Sequence, residues 1–548
     1  MKKLLLSAIC AVSAILSQAA VSDYTKQWSA DINQAVKDAK SYHAAMAVDA
    51  NANVIVAGAF TEDMTLAGAQ LTALGTSAYI AKYDNKGAAK WAVALTGSAT
   101  VTNIATDATG NIYVAGTFAD EVEFGTTSGE AITKTGQMID GAASTKQNAS
   151  FIAKYDADGK IVTVADFVAN KHPELADYTG FEPMYFPSDG DIYFEISDLK
   201  VVADKVYASA IYTGETKYGD VAFTSTYVNY GYFMYWDQAS CSIFSLSAAD
   251  LTDCSNLATM KYSGANAEGA DDTSAAYSCK FDVAADGTIY AAFATSGKIS
   301  LYIGSTVEPI DDSTAGAQTM TVAVIKNGAL AAANAKPFEF TATSAADNSV
   351  SLVKADAENI YIVGRMFTST TENPGTAEAV TTNHKNVFVA KAPVAAPTPV
   401  FVTKDGADGV ITYATVIDAA EVAPGEFLIS TLGKYNQSSA DGVEPAYENG
   451  DFANTVRTYY FNGTEFAAEA PLDKEAIAVA ANGANVAFAD AADGGISVSL
   501  FKGEQSGISD ITVSDEAKTG KAYNLQGIEV APDTKGLIII DGKKVYNK

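Results

Sequence analysis

Ala47-Val-Asp-Ala-Asn-Ala-Asn-Val-Ile-Val-Ala-Gly-Ala-Phe60 returns as Ala105-Thr-Asp-Ala-Thr-Gly-Asn-Ile-Tyr-Val-Ala-Gly-Thr-Phe118. Each copy reads as the end of one strand, a turn built on Asp and Asn, and a second strand rich in β-branched and aromatic residues. A supersecondary unit that recurs along the chain cannot bury both faces alone, so it stacks against copies of itself.

Seven such hairpins can be aligned: 44–60, 104–118, 199–212, 281–293, 352–367, 416–432 and 477–488. A third strand follows after an insert of variable length. Ser77-Ala-Tyr-Ile-Ala-Lys-Tyr83 matches Ser150-Phe-Ile-Ala-Lys-Tyr155, with weaker copies at 321–328, 387–391 and 498–503. Lys90-Trp-Ala-Val-Ala-Leu95 supplies a fourth. Four antiparallel strands per unit, repeated around an axis, describe an all-β fold of the β-propeller type, here with seven blades. The last unit stops after its third strand, while Lys26-Gln-Trp-Ser-Ala-Asp-Ile32 resembles the fourth strand at 90–95, so the N-terminal strand is expected to complete the last blade and leave no bare edge.

The pattern Asp-x-x-Gly-Asn-Ile-Tyr-Val-Ala-Gly-Thr-Phe, then Phe124-Gly125, then Phe-Ile-Ala-Lys-Tyr-Asp-x-x-Gly, resembles the SBBP repeats of secreted and surface bacterial propeller proteins. The resemblance implies a surface-located scaffold and brings no shared catalytic residues.

Past Ser506 the repeat stops. Residues 507–548 are expected to form a small β-module, with Asp541-Gly542 as a hairpin turn between apolar runs. Asn524-Leu525-Gln526-Gly527, Lys535-Gly536 and Gly542-Lys543-Lys544 resemble the C-terminal sorting modules of Bacteroidetes cargo carried by the type IX secretion system, which implies a secretion machinery as partner. A hairpin that merely caps the propeller is the competing reading.

The chain opens with Lys2-Lys3, an apolar run from Leu4 to Leu16 and small residues up to Ala20, the three parts of a signal peptide over 1–20. The expected organisation is therefore signal peptide 1–20, propeller 21–506 and C-terminal module 507–548. Such a protein is exported to the cell surface, the extracellular space or the periplasm. No later run reaches the ~20 apolar residues of a membrane helix, so direct membrane insertion is not expected. With 36 basic against 65 acidic side chains, the net charge of −29 repels phosphate backbones, which argues against nucleic acid.

Cys241, Cys254 and Cys279 follow the signal segment. One disulfide among them is plausible in an exported chain, and spacing leaves the pair open. No Cys-x-x-Cys occurs and His43, His172 and His384 stand apart, so no metal site and no cofactor are expected. Nucleophile elbows, zinc-protease helices and phosphate loops are also missing from the sequence. Asp84-Asn-Lys-Gly87 and Asp156-Ala-Asp-Gly159 read as hairpin turns, and most of the 65 acids read as solvated surface groups. Aromatic residues concentrate in 181–186 and 227–236, and Tyr230, Tyr232, Tyr235 and Trp236 are the candidate ligand contacts. The leading expectation is a non-catalytic module that binds a glycan, peptide or surface protein. The alternatives are a surface polysaccharide hydrolase or lyase using carboxylates and tyrosines in the central pocket, marked by convergent acids at the axial mouth, and a structural or adhesion component.

Overall fold

The computed structural model describes residues 21–36, 44–136, 149–172, 184–187, 192–231, 234–263, 275–304, 306–310, 318–338, 348–372, 380–404, 410–438, 455–467, 470–472, 474–505 and five short strands beyond 510. Every regular element among them is a β-strand. The chain parts into two compact units, Lys26–Phe501 and one that holds the residues from Lys502 onward.

Within the larger unit all seven expected hairpins are present. Sheet one runs Ala45–Val48, Val54–Phe60, Ser77–Tyr83 and the first half of Ala89–Thr106. Sheet two takes the second half of that strand, then Ile112–Phe124, Ala149–Tyr155 and Ile161–Asn170. Gly97, at φ 130°, lets one strand serve both sheets: a Cβ there would lie 2.5 Å from the Glu121 carbonyl oxygen. Sheet three holds Phe194–Val202, Lys205–Tyr212, Ser240–Ser247 and Ser255–Tyr262. Sheet four holds Ala275–Val283, Ile289–Ser296, Gln318–Lys326 and Ala329–Pro337. Sheet five holds Ser349–Ala355, Asn359–Glu372, Val380–Pro393 and Val400–Thr403. Sheet six has three strands among the described residues, Val410–Ala423, Glu426–Ser438 and Thr455–Phe461, where the repeat predicts four. Sheet seven runs Ala476–Asn482, Asn485–Ala492 and Gly495–Gln505, and Val21–Asn33 pairs with the last of these at the sheet's edge.

Local chemistry explains the hairpins. The Asp49 side chain accepts the Asn51 and Asn53 amides at 2.8 and 2.9 Å, and Asp107 accepts those of Thr109 and Asn111 at 2.9 and 3.0 Å. The turn therefore forms from its own residues. Asp84 and Asp156 do the same for Lys86 and Ala88, and for Asp158 and Lys160, which makes both sequences the hairpin turns expected of them.

Middle strands are covered on both faces, so Val54–Phe60, Ser77–Tyr83 and Ala149–Tyr155 are buried throughout, the lysine and serine of the last two included. Continuous apolar layers join sheet one to two, two to three, three to four, four to five and five to six. A further layer joins sheet seven to sheet one, with Trp28, Ile477, Ile496 and Val498 against Val54, Val56 and Tyr79. The first strand of each sheet also packs on that of the next, and Ala476–Asn482 on Ala45–Val48.

The repeated Lys of Ile-Ala-Lys-Tyr links neighbouring sheets. Lys82 donates to the Ala157 carbonyl at 3.2 Å, and Lys154 to Ala248 and Ala249 at 2.7 and 3.0 Å, each reaching the outer turn of the following sheet. A buried ammonium of this kind is tolerable only with such acceptors in place.

An insert in sheet three forms a small separate sheet: Thr226–Gly231 pairs antiparallel, and Met184–Pro187 parallel, with Met234–Gln238. In the C-terminal unit Gly536–Ile540 and Lys543–Asn547 pair antiparallel from Ile540 opposite Lys543, beside Ile511–Val513, Ala522–Tyr523 and Glu529–Val530.

Candidate functional site

First strands of all seven sheets converge on one cavity of about 660 Å³. Its lining draws on Ala44–Val48, Thr102–Ile104, Glu195–Lys200, Lys280, Val350–Leu352 with Lys354, Val416–Glu421 and Val479–Gly483. None of these residues is aromatic, and the charged ones come from sheets three to six.

A β-bulge interrupts the first strand of each sheet from two to seven, the register skipping one residue at Thr102, Ser197, Tyr277, Ser351, Ile417 and Ile477. Such a bulge re-aims the side chain that follows it. In sheets three and six that side chain is an aspartate, Asp198 and Asp418, each standing five residues before the alanine of its turn, Ala203 and Ala423. Lys280 holds the same offset from Ala285 in sheet four.

The two aspartates are bonded alike. Asp198 accepts the amide of Leu199 at 2.9 Å and, across the sheet boundary, that of Phe281 at 3.2 Å. Asp418 accepts Ala419 at 2.8 Å and, across its own boundary, Val479 at 2.9 Å. Asp282 likewise accepts Ala355 at 3.0 Å. Each carboxylate thus clamps one sheet to the next, Asp198 and Asp418 at the cavity wall.

Their electrostatics diverge. Burial raises the Asp198 carboxyl, but Lys200 at 2.6 Å, the charge of Lys280 and the Phe281 amide outweigh it and hold the group below its ordinary value. For Lys200 burial favours the neutral amine, and Asp198 more than restores the charge. At Asp418 burial dominates over the two amides and the more distant Lys280 and Lys200, and the carboxyl is pushed up to about 6. Glu421 is also raised, by burial first, while the Gly425 amide at 2.9 Å and Lys354 oppose the shift. One cavity thus holds an aspartate kept ionised and another that retains its proton into the weakly acidic range.

That difference is testable through stability. A carboxyl near 3.8 when unfolded and about 6 when folded binds its proton more tightly in the native state, so its contribution falls as pH rises from about 4 to about 6 and is flat above. Wild type should lose roughly 2 kcal/mol relative to D418N across that window, read by denaturant unfolding at several pH values, with any lost clamp appearing as a constant offset. Parallel curves would refute the shifted value.

Tyr230 falls in Thr226–Gly231, and Tyr235 and Trp236 fall in Met234–Gln238, where they pair by backbone with Asn229 and Val228; Tyr232 lies outside the described residues. Of the sorting motif, Gly536 begins one strand and Lys543 and Lys544 begin another, whereas Asn524, Leu525, Gln526, Gly527, Lys535 and Gly542 lie outside the described residues, as does the 1–20 segment. Cys241, Cys254 and Cys279 are all unbridged.

Asp198, Asp418 and Lys280 were not singled out from the sequence. Their shared offset from the turn alanine was the available signal, hidden among 65 acids.

No family model matches the chain, and no curated protein does. Among solved structures, the β-propeller domain of the Trilobed protease from Pyrococcus furiosus is similar over 85% of this chain and 96% of its own, at 10% identity and a TM-score of 0.36. The polysaccharide lyase Uly1 is similar over 71% and 74%, at 10% identity and 0.33. An α-L-arabinanase of Penicillium chrysogenum, solved with arabinobiose, is similar over 73% and 93%, at 7% identity and 0.29. Scores this low carry no argument about activity.

Proposed function

We propose that this chain is an exported seven-bladed β-propeller whose axial cavity cleaves polysaccharide, with Asp418 as proton donor and Asp198 as the ionised partner. The seven-fold closure is supported by the apolar layer between sheets seven and one, by the Gln34 amide on the Gly494 carbonyl at 2.7 Å, and by Trp28, which meets Gly87 of sheet one as Trp91 meets Gly159 of sheet two. Export, SBBP-type repeats and engagement of a type IX machinery by the C-terminal module remain part of the proposal on the motifs quoted above.

The observation that carries the catalytic reading is the divergence of two equivalent aspartates. Glycoside cleavage uses one carboxylic acid to protonate the leaving oxygen and one carboxylate to act as base or nucleophile. Environments that push two carboxyls apart assign those roles. Asp418 keeps its proton because burial penalises its charge, and Asp198 keeps its charge because Lys200 and Lys280 compensate it. Activity should decline above pH 6 as Asp418 ionises.

A second reading, a glycan- or peptide-binding module without turnover, is favoured by the structural use of both aspartates: each already accepts two backbone amides, one of them from the next sheet. One experiment separates the two. Neutral and uronate-containing polysaccharides are incubated with wild type, D198N, D418N and W236A, reading new reducing ends, unsaturated products and binding. Cleavage reduced about 10²- to 10⁴-fold in either aspartate variant, with melting behaviour retained, supports catalysis. Binding without products, lost in W236A, moves the function to the aromatic insert. Neither binding nor cleavage sinks both readings and leaves the structural role.

A further inference from the structure

The interface between sheets three and four holds two thiols on one face. Cys241 lies in Ser240–Ser247 of sheet three and Cys279 in Ala275–Val283 of sheet four, both fully buried in the same apolar layer. The backbone sets them together. The Ala276 amide donates to the Ala239 carbonyl at 2.8 Å, which fixes the two strands side by side. Cys241 stands two residues beyond Ala239, on the same face. Cys279 stands three beyond Ala276, which would ordinarily turn it away, but the bulge at Tyr277 absorbs one residue and returns it to the shared layer. Burial first, and then the neighbouring Cys279 thiol, push the Cys241 thiol above its ordinary range. Cys254 belongs elsewhere: it packs against the layer on the opposite face of sheet three, between sheets two and three.

We propose that Cys241 and Cys279 form a disulfide that staples sheet three to sheet four, leaving Cys254 as the unpaired thiol. The proposal rests on the export reading, because the oxidant must be a disulfide-bearing one, such as a thiol–disulfide oxidoreductase or glutathione disulfide. One cysteine thiolate attacks the oxidant's S–S bond, forming a mixed disulfide and releasing one thiolate, which takes up a proton. The second cysteine thiolate then displaces the remaining thiol. Two protein S–H bonds are lost, one S–S bond forms, and the oxidant leaves as two thiols.

Burial pushes the Cys241 thiol up, and the Cys254 thiol to about 12. Few thiolates therefore exist in the folded protein, so the bridge forms before sheets three and four close over it, and afterwards neither oxidant nor reductant reaches it readily. The staple sits behind the cavity wall. The Cys279 carbonyl accepts the Ser197 and Ser209 hydroxyls at 2.9 and 3.0 Å, and its neighbour Lys280 lines the cavity.

The test is peptide mapping of the full chain after alkylation under denaturing, non-reducing conditions, on two samples: protein recovered after export by its native host, and reduced chain refolded in a glutathione redox buffer. A Cys241–Cys279 linked peptide with alkylated Cys254 in both samples is the expected result, together with a melting temperature that falls by several degrees only when the reductant is added to unfolded protein before refolding. Alkylation of both cysteines in the glutathione-refolded sample, or any bridge containing Cys254, overturns the pairing. A bridge that forms in glutathione but is missing from the host-derived protein upholds the pairing and overturns the export reading instead.

Discussion

Gly116→Ala should lower the stability of the larger unit by roughly 3 kcal/mol, seen as a lower denaturant midpoint at unchanged slope. Gly116 lies in Ile112–Phe124, paired with Val101 on one side and Phe151 on the other. An added Cβ would stand 1.9 Å from the Thr100 carbonyl oxygen and 3.0 Å from the Phe151 ring. The carbonyl belongs to a strand that bulges at Thr102 and lines the cavity, so it cannot retreat without moving the wall. Phe151 is fully buried and meets Phe124 edge-on at 4.9 Å. Gly364 repeats the arrangement in sheet five, where a Cβ would meet the Ser349 carbonyl oxygen at 2.2 Å and Phe388 at 2.6 Å. Gly116 and Gly364 are thus points where three strands touch, whereas a Cβ on Gly58, the other glycine of the repeated Val-Ala-Gly phrase, would meet the Tyr79 side chain instead. A loss below 1 kcal/mol for Gly116→Ala would mean that the first strand is free to shift.

Trp28→Ala should cost about 4 kcal/mol, as expected for emptying the space of a buried indole. Trp28 is 8% exposed, stacks on Tyr83 with centroids 5.6 Å apart, and covers Gly87, whose missing Cβ would lie 2.9 Å from the indole. Trp91 makes the same contact with Gly159 and in addition donates its Nε1–H to the Ala157 carbonyl at 3.1 Å. The two substitutions separate a seam effect from a packing effect. Both should destabilise, but only Trp28→Ala should speed amide exchange in Lys26–Asn33 and Gly495–Phe501 ahead of the remaining sheets, because those strands are held together without a covalent connection between them. Uniform exchange in both variants would refute a distinct seam.

What the sequence disclosed was mostly local. The hairpins were legible because Asp49 and Asp107 close their own turns within four residues, and such bonds leave a mark at fixed spacing. Trp28 was legible as a copy of Trp91. The Lys of Ile-Ala-Lys-Tyr was visible as a repeat, but its purpose was not, because its acceptors lie 75 and 94 residues further on. The cavity was hidden for the same reason. Asp198 bonds the amide of Phe281 and Asp418 that of Val479, and these distances in sequence vary with the inserts between sheets. Sheet six shows three strands among the described residues where the repeat predicts four, and Thr226–Gly231 and Met234–Gln238 of the aromatic stretch pair with each other in a small sheet.

The pairing of Lys26–Asn33 with Gly495–Phe501 has a mechanical consequence. The Gln34 amide meets the Gly494 carbonyl, and a Cβ on Gly495 would touch the Ile32 carbonyl oxygen, so the end of the first strand lies beside the beginning of the last. The two run antiparallel, and their outer ends, Lys26 and Phe501, leave from the same corner. Tension applied between these two points loads the interstrand bonds one after another, like the teeth of a zip, instead of sharing the load among them. A molecule tethered at one end and pulled at the other would therefore yield first at this pair of strands and at low force, well before any of the six sheets whose strands follow one another along the chain.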